Sequence, residues 1–364
     1  MDKVQAIRIN TPEQWRRLKD QSDNLHIDEE GLSIQKEWHH ELRDEIFIRL
    51  DDLRLEDMRD LALDECGNLY IVDGARAGIY KYDPQSSTTT EIVSCDGRLP
   101  VAPEAPTGIA IDRDSIYVAD SPGSSPPGVI AYSRTNLQLK WVKALTEFNT
   151  IRDITKGPDG MLYVLTGRAV LVLNRGGEMV KTLTPPSPHS MKDPSDIAVS
   201  LGGKLYVLDR KTEDNKLYLI IHTFGPAGEY QPIRVSTNFG NDIIPSGLSI
   251  NSDGCLFVGI KEAPEEFVTI YRIDFKKTPV LVPLWFYRDS TRRILNDTED
   301  NIYIINGSGD KISFLQYMEV VKRDSEGKFQ ASFTSNTIDS HKAGNAWHRF
   351  RIDGTFPEGA RVKF

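Results

Sequence analysis

Cysteine is scarce in this 364-residue chain: Cys66, Cys95 and Cys255 are the only three. That number does not suggest a disulfide framework, and no Cys/His spacing resembles a zinc site. His39-His40 and Trp347-His348 stand isolated and are expected on the surface or in packing rather than on a metal. Long apolar runs are also missing. The longest, Val280-Leu281-Val282-Pro283-Leu284-Trp285-Phe286, is too short to span a bilayer. The opening Met1-Asp2-Lys3-Val4-Gln5-Ala6 has no apolar signal-peptide core, so cytoplasmic synthesis without membrane insertion is expected. Excess basic charge is absent too. A formal charge of −9 argues against nucleic acid as the main partner, because phosphate binding needs a basic face. Finally, there is no Gly-x-Ser-x-Gly elbow, no phosphate loop and no His-Glu-x-x-His helix.

What the chain does have is a repeat. Six times a short apolar strand, a tight turn and a second strand centred on an aromatic recur. One copy runs from Arg59-Asp60-Leu61-Ala62-Leu63-Asp64 through Gly67-Asn68 to Leu69-Tyr70-Ile71-Val72-Asp73. The anchor aromatics are Tyr70, Tyr117, Tyr163, Tyr206, Phe257 and Tyr303, spaced by 47, 46, 43, 51 and 46 residues. Each copy alternates apolar and polar residues, turns on Asn, Asp or Gly, and alternates again, which marks a hairpin. Further strands follow, such as Gly78-Ile79-Tyr80-Lys81-Tyr82 and Thr89-Thr90-Glu91-Ile92-Val93. Four strands in about 46 residues make one propeller blade. A blade cannot bury both faces alone, so the fold expected is an all-β, six-bladed ring. The anchor aromatics are expected to pack between adjacent blades rather than to bind sugars.

The segment Pro106-Thr107-Gly108-Ile109-Ala110-Ile111-Asp112 with Ile116-Tyr117-Val118-Ala119-Asp120 resembles the NHL-type six-bladed propeller family. Blades one, three and four match most of that pattern, while five and six have drifted. The resemblance implies the fold and leaves function open, since this frame carries enzymes, receptors and scaffolds. The expected organisation is a cap with a ring-closing strand over residues 1–50, the propeller over 51–322, and a C-terminal β extension over 323–364.

Both ends depart from the repeat. Thr11-Pro12-Glu13-Gln14-Trp15 opens an N-capped helix with Pro at its first position. Asn24 to Ile34 is a hairpin turning at Asp/Glu-Gly, either a cap or the outer strands of the closing blade. Glu45-Ile46-Phe47-Ile48-Arg49-Leu50 is the expected closing strand. At the other end, Phe329 to Ser335 alternates as a strand, and 346–364 looks like the opening of a β-sandwich. Phe364 then leaves its strand without a partner, so either the native chain continues or the tail pairs with another chain.

The run Trp347-His348-Arg349-Phe350-Arg351-Ile352-Asp353-Gly354-Thr355-Phe356-Pro357-Glu358-Gly359-Ala360 resembles a segment of phage-tail-like proteins of contractile injection systems. Trp15 and the turn from Asp28 to Gly31 are similar to that family as well. Membership would imply a structural component near the baseplate, with other tail and baseplate proteins as partners. Trp347, Arg349, Phe350, Phe356 and Phe364 are then the interaction candidates.

One constellation carries chemistry. Nine or ten residues before each anchor aromatic stand Asp60, Gly108, Asp153, Asp196, Gly247 and Arg293. These positions fall near one mouth of the central channel, where three carboxylates and a guanidinium converge. Oxygen ligands of this kind suit calcium, so Asp60, Asp153 and Asp196 are the metal candidates. The competing expectation, favoured here, is structural: such an Asp accepts main-chain N–H bonds of its own or the next blade. Arg59 and Arg152 directly precede two of these aspartates and are expected to pair with them. Propeller lactonases of the gluconolactonase type use a central metal with Glu, Asn and Asp ligands, and their Glu near the chain start has no convincing counterpart.

The expectation from sequence is therefore a non-enzymatic scaffold of a tail-like particle, with no cofactor. The alternatives are a calcium-dependent propeller hydrolase or lactonase, or a module that recognises a glycan or cell-surface receptor through loops 83–106 and 121–128.

Overall fold

A computed structural model describes residues 9, 11–28, 31–50, 53–93, 101–213, 216–236, 244–262, 268–275, 279–284, 287–321 and 330–336. The chain divides into two compact units: residues 39–318, and residues 1–38 together with 319–364.

The larger unit contains the expected six blades. Five four-stranded sheets follow chain order, and their innermost strands are Met58–Leu63, Pro106–Ile111, Ile151–Lys156, Asp196–Val199 and Ile244–Ile250. The sixth sheet runs Thr291–Asn296, Ile302–Asn306, Ile312–Val321, and takes its outer strand, Lys36–Ile46, from the N-terminal side. A strand does close the last blade from the chain's start, as expected, but it lies before the predicted segment. Arg49–Leu50 instead pairs with Leu53–Arg54 in a short hairpin. One residue anchors the strand: His40 is buried, its Nε2 2.8 Å from the Asp300 carbonyl, while Trp38 and Leu42 are exposed. Burial between Phe257 and Tyr317 lowers the His40 pKa.

The anchor aromatics sit opposite Ala62, Ala110, Thr155, Ala198, Ser249 and Leu295 on the innermost strands. Small residues at most of these places leave room for the ring. Each aromatic then joins the apolar cluster of the following blade. Tyr70 packs with Ile109 and Ile116, Tyr117 with Ile154 and Leu162, and Tyr163 with Ile197 and Leu205. Tyr206 packs with Leu248 and Leu256, Phe257 with Ile294 and Ile302, and Tyr303 with Leu61 and Leu69 across the closure. The core is thus six interblade layers, each tied by one large ring.

In the smaller unit, the helix Pro12–Leu18 has Thr11 as N-cap, with a capping box to Gln14. The hairpin pairs Leu25–Asp28 with Gly31–Ile34. The strand Lys19–Asp23 pairs antiparallel with Ser332–Ser335, and Trp15 meets Phe333 edge-on with ring centres 5.5 Å apart. The two chain ends therefore build one unit. Among the described residues, no helix is long and apolar enough to cross a membrane, and Cys66 and Cys255 are free thiols.

Two innermost strands carry Gly where others carry Asp, and the reason is steric. A Cβ on Gly108 would lie 2.8 Å from Asp153 Oδ1 and 2.9 Å from the Ile154 nitrogen. The main-chain neighbour has no freedom to move, so Gly108→Ala is expected to cost about 1–3 kcal/mol in urea unfolding.

Candidate functional site

The three aspartates predicted from spacing do converge, and they converge on Arg293. Its guanidinium lies 2.5 Å from Asp196 Oδ1, 3.1 Å from Asp153 Oδ2 and 3.5 Å from Asp60 Oδ1. All four side chains are buried. The carboxylates also bind the main chain, as the structural expectation had it. Asp60 Oδ2 accepts from the Ile109 N–H at 2.7 Å, in the next blade. Asp153 accepts from its neighbour Ile154 at 2.8 Å and from Ile197 of the next blade at 3.3 Å. Asp196 accepts from Ile197 at 2.7 Å and from Leu248 of the next blade at 2.7 Å. Carboxylate to next-blade amide is therefore the stitch that joins innermost strands.

Burial raises the Asp60 pKa to about 6 against the opposing pull of Arg293. Burial likewise pushes Asp153 well above the usual carboxylate range, with Arg293 opposing and the Asp196 and Asp60 charges reinforcing. Burial alone would lower Arg293, yet the three carboxylates outweigh it and raise its pKa.

This donor set does not fit a resident metal. Every oxygen of Asp60, Asp153 and Asp196 already faces an N–H or the guanidinium, which stands at the centre of the set. Among the described residues no group of three His, Cys, Asp or Glu side chains is arranged to hold an ion.

Above this plug opens a cavity of about 440 Å³. Its wall includes the residue preceding each inner-ring position: Arg59, Thr107, Arg152, Ser195, Ser246 and Arg292. Arginines thus come from blades one, three and six, and hydroxyls from two, four and five. Arg210 and the floor residue Arg293 add two more guanidiniums, and Asp193 is the one carboxylate among the described lining residues. The expected pairing of Arg59 and Arg152 with their neighbouring aspartates is not what forms. Arg59 binds Asp57 Oδ2 at 3.0 Å, and Arg152 lies 3.8 Å from Asp193 Oδ1. Both arginines stand at a register shift of the innermost strand, between Met58 and Asp60 and between Ile151 and Asp153, where the ladder is interrupted and a side chain is re-aimed.

Asp193 and Arg210 escaped the sequence reading. Both adjoin Asp209, Arg210 in sequence and Asp193 through its amide, and Asp209 is the counterpart in its blade of Asp73 and Asp120, which end their second strands. These side chains cap the loop before their own innermost strand. Asp209 accepts from the Lys192 and Asp193 amides at 2.8 Å each, and from Arg210 at 2.8 Å. His222 joins Asp209 at 3.0 Å through Nε2 and the Tyr230 hydroxyl at 2.8 Å through Nδ1. Burial works against the Asp209 charge, but His222 and the two loop amides prevail and lower its pKa. Trp347, Arg349, Phe350, Phe356 and Phe364 lie outside the described residues.

No family model matches the chain, and no curated protein matches it. Solved structures do. The PQQ-bound aldose sugar dehydrogenase of Streptomyces coelicolor aligns with TM-score 0.56 at 18% identity, over 78% of this chain and 99% of that one. Virginiamycin B lyase of Staphylococcus aureus aligns at 0.51 and 14%, over 78% and 100%. A gluconolactonase of Xanthomonas campestris aligns at 0.52 and 12%, over 77% and 98%. At such identities the likeness establishes the fold alone. It nevertheless corrects one expectation. The propellers named here are enzymes, so the inference from a bare scaffold layout to a non-enzyme does not stand.

Two outcomes test the plug. Arg293→Met leaves buried carboxylates without their counter-charge and is expected to lose about 3–5 kcal/mol in urea unfolding, with Arg293→Lys intermediate. For Asp60, the folded pKa lies above the unfolded one. Its ionisation therefore opposes folding, and that cost appears as pH rises from about 4 to about 6. Asp60→Asn cannot ionise. Its melting temperature minus that of the parent is expected to grow across this window and level off above it, and a flat difference would contradict the assignment.

Proposed function

We propose that this chain is a propeller hydrolase that takes a small substrate at the arginine-walled channel mouth, without a resident metal ion. The observation that carries it is the cavity itself: five guanidiniums converge on about 440 Å³ directly above the Arg293 plug. The volume lies in the range of small-molecule pockets. Support for a catalytic role comes from the enzymes that share the fold, among them a gluconolactonase.

What such a wall supplies is stabilisation of negative charge as it develops. In hydrolysis of an ester or lactone, water adds to the carbonyl carbon and the carbonyl oxygen becomes an oxyanion. Arg152, half-exposed at the mouth, is placed to hold it. Asp193 accepts the proton of the attacking water and returns it to the leaving oxygen as the acyl C–O bond breaks. Arg210 fixes the Asp193 carboxylate at 2.8 Å. A carboxylate paired with guanidiniums is a weak base, so oxyanion stabilisation is the larger share of this chemistry. The acid so formed gives its remaining proton to solvent, and the resulting carboxylate suits the same wall.

The tail-particle reading rests on residues 347–360, outside the described part, with Trp15, the turn from Asp28 to Gly31 and the layout, and none of the three proteins named above is a tail component.

Turnover of a panel of sugar lactones and aryl esters, followed by pH-stat, tests the reading. Hydrolysis that persists in EDTA and falls about 100-fold in Arg152→Ala is expected. Hydrolysis abolished by EDTA, or none across the panel, would overturn it.

A further inference from the structure

Not all guanidiniums at the mouth are equally engaged. Arg59 and Arg292 share Asp57: Arg59 Nε binds one carboxylate oxygen at 3.0 Å and Arg292 Nη1 binds the other at 2.6 Å. Arg292 also donates to the Met58 carbonyl at 2.9 Å. Arg210 holds Asp193 Oδ2 at 2.8 Å. Arg293 is enclosed by its three aspartates. Arg152 differs. Among the described residues its charge meets one carboxylate oxygen at 3.8 Å, an oxygen pair that Arg210 already grips, and its side chain is 49% exposed. A guanidinium carries five N–H donors in a planar fork, so most of this fork is open to a ligand.

Beside it, one blade along the ring, stands Ser195. Its Oγ is buried and has no hydrogen-bond partner among the described residues. Burying a hydroxyl without a partner costs free energy that a bound ligand would recover. The neighbouring hydroxyls are otherwise occupied: Ser246 Oγ donates to the Thr291 carbonyl, and Ser121 Oγ accepts from the Ile151 N–H at 3.2 Å. Arg152 and Ser195 thus place an open cationic fork and an unsatisfied hydroxyl on adjacent blades of one cavity wall, the hydroxyl closed to solvent as it stands and turned toward a ligand by rotation about its own χ1.

We infer that Arg152 and Ser195 are the oxyanion subsite of this pocket, and that the ligand is a small hydroxyl-bearing molecule carrying a carboxylate or phosphate group. A fork of two parallel N–H donors matches the two oxygens of either group, and the Ser195 hydroxyl adds a third bond. The inference rests on the channel mouth being the functional site, and it names what the proposed hydrolase would recognise in substrate or product.

The test is isothermal titration of the full chain with glucuronate, glucose 6-phosphate, inorganic phosphate and neutral glucose. Both charged sugars are expected to bind at least about tenfold more tightly than glucose. The better of the two identifies carboxylate or phosphate as the preferred group, and inorganic phosphate alone competing equally well would show that the sugar hydroxyls add nothing. Arg152→Gln is expected to remove the charged sugars' advantage with an unchanged melting temperature, and Ser195→Ala to weaken them several-fold. Equal binding of charged and neutral sugars, binding indifferent to Arg152→Gln, or no binding at all would each overturn the inference. Tight charge-dependent binding without turnover leaves it standing while defeating the hydrolase. Turnover indifferent to ligand charge does the reverse.

Discussion

The propeller depends on one buried contact: a single guanidinium, Arg293, facing three carboxylates at the axis of the ring. Bringing the starts of innermost strands together in a closed ring crowds whatever side chains they carry. Here the sequence answers with Asp, Gly, Asp, Asp, Gly, Arg. The glycines give space, since a Cβ on Gly247 would stand 2.9 Å from Ile294 Cγ1 and 3.1 Å from its main-chain nitrogen. The aspartates bind the next blade's amide, and the arginine provides the counter-charge. Remove any one element and the remaining ones lose their partners, which is why a buried ionic cluster specifies geometry more surely than it adds stability.

Much of this was legible before the fold was known, because the repeat is a physical necessity. Each blade must present an aromatic to its neighbour, so the period survives where other positions drift. The inner-ring register followed from counting back nine or ten residues, and it identified Arg293 as well as the aspartates. What periodicity could not reveal was which cation the carboxylates face, since a metal and a guanidinium demand the same charge. Nor could it show Asp193, Arg210 or His222, whose roles depend on loop conformation and on a partner in another strand. The closing strand was displaced for a related reason: Lys36–Ile46 alternates less cleanly than Glu45–Leu50, and a buried histidine hides half its pattern.

A chain of formal charge −9 nevertheless carries a cationic pocket, and the geometry explains how. Residues at the inner ring form the plug, and the residues just before them, five of which stand at a register shift of the innermost strand, line the mouth. Acidic side chains turn into the plug, where Arg293 faces them and amides absorb the remaining lone pairs. Arginines at the preceding positions turn to the solvent-filled mouth. Net charge describes the whole surface and its colloidal behaviour, whereas recognition is set by the few charges that share a concavity. A net charge of −9 therefore has no bearing on whether a pocket takes a small anion.

Arginine in place of a metal also changes what chemistry the mouth can do. A divalent ion lowers the pKa of a bound water and exchanges ligands as the reaction proceeds. A guanidinium does neither: it is fixed by covalent attachment, permanently charged, and shaped for oxyanions. A site built on it must draw its catalytic effect from orientation and from stabilising negative charge in the transition state. Arg293 itself is enclosed, so on the proposed reading it acts on a ligand through the field it sustains from the floor, while Arg152, one residue earlier in the ring, makes the contact. The register shift at the start of the innermost strands thereby separates the charge that holds the ring together from the charge offered at the mouth.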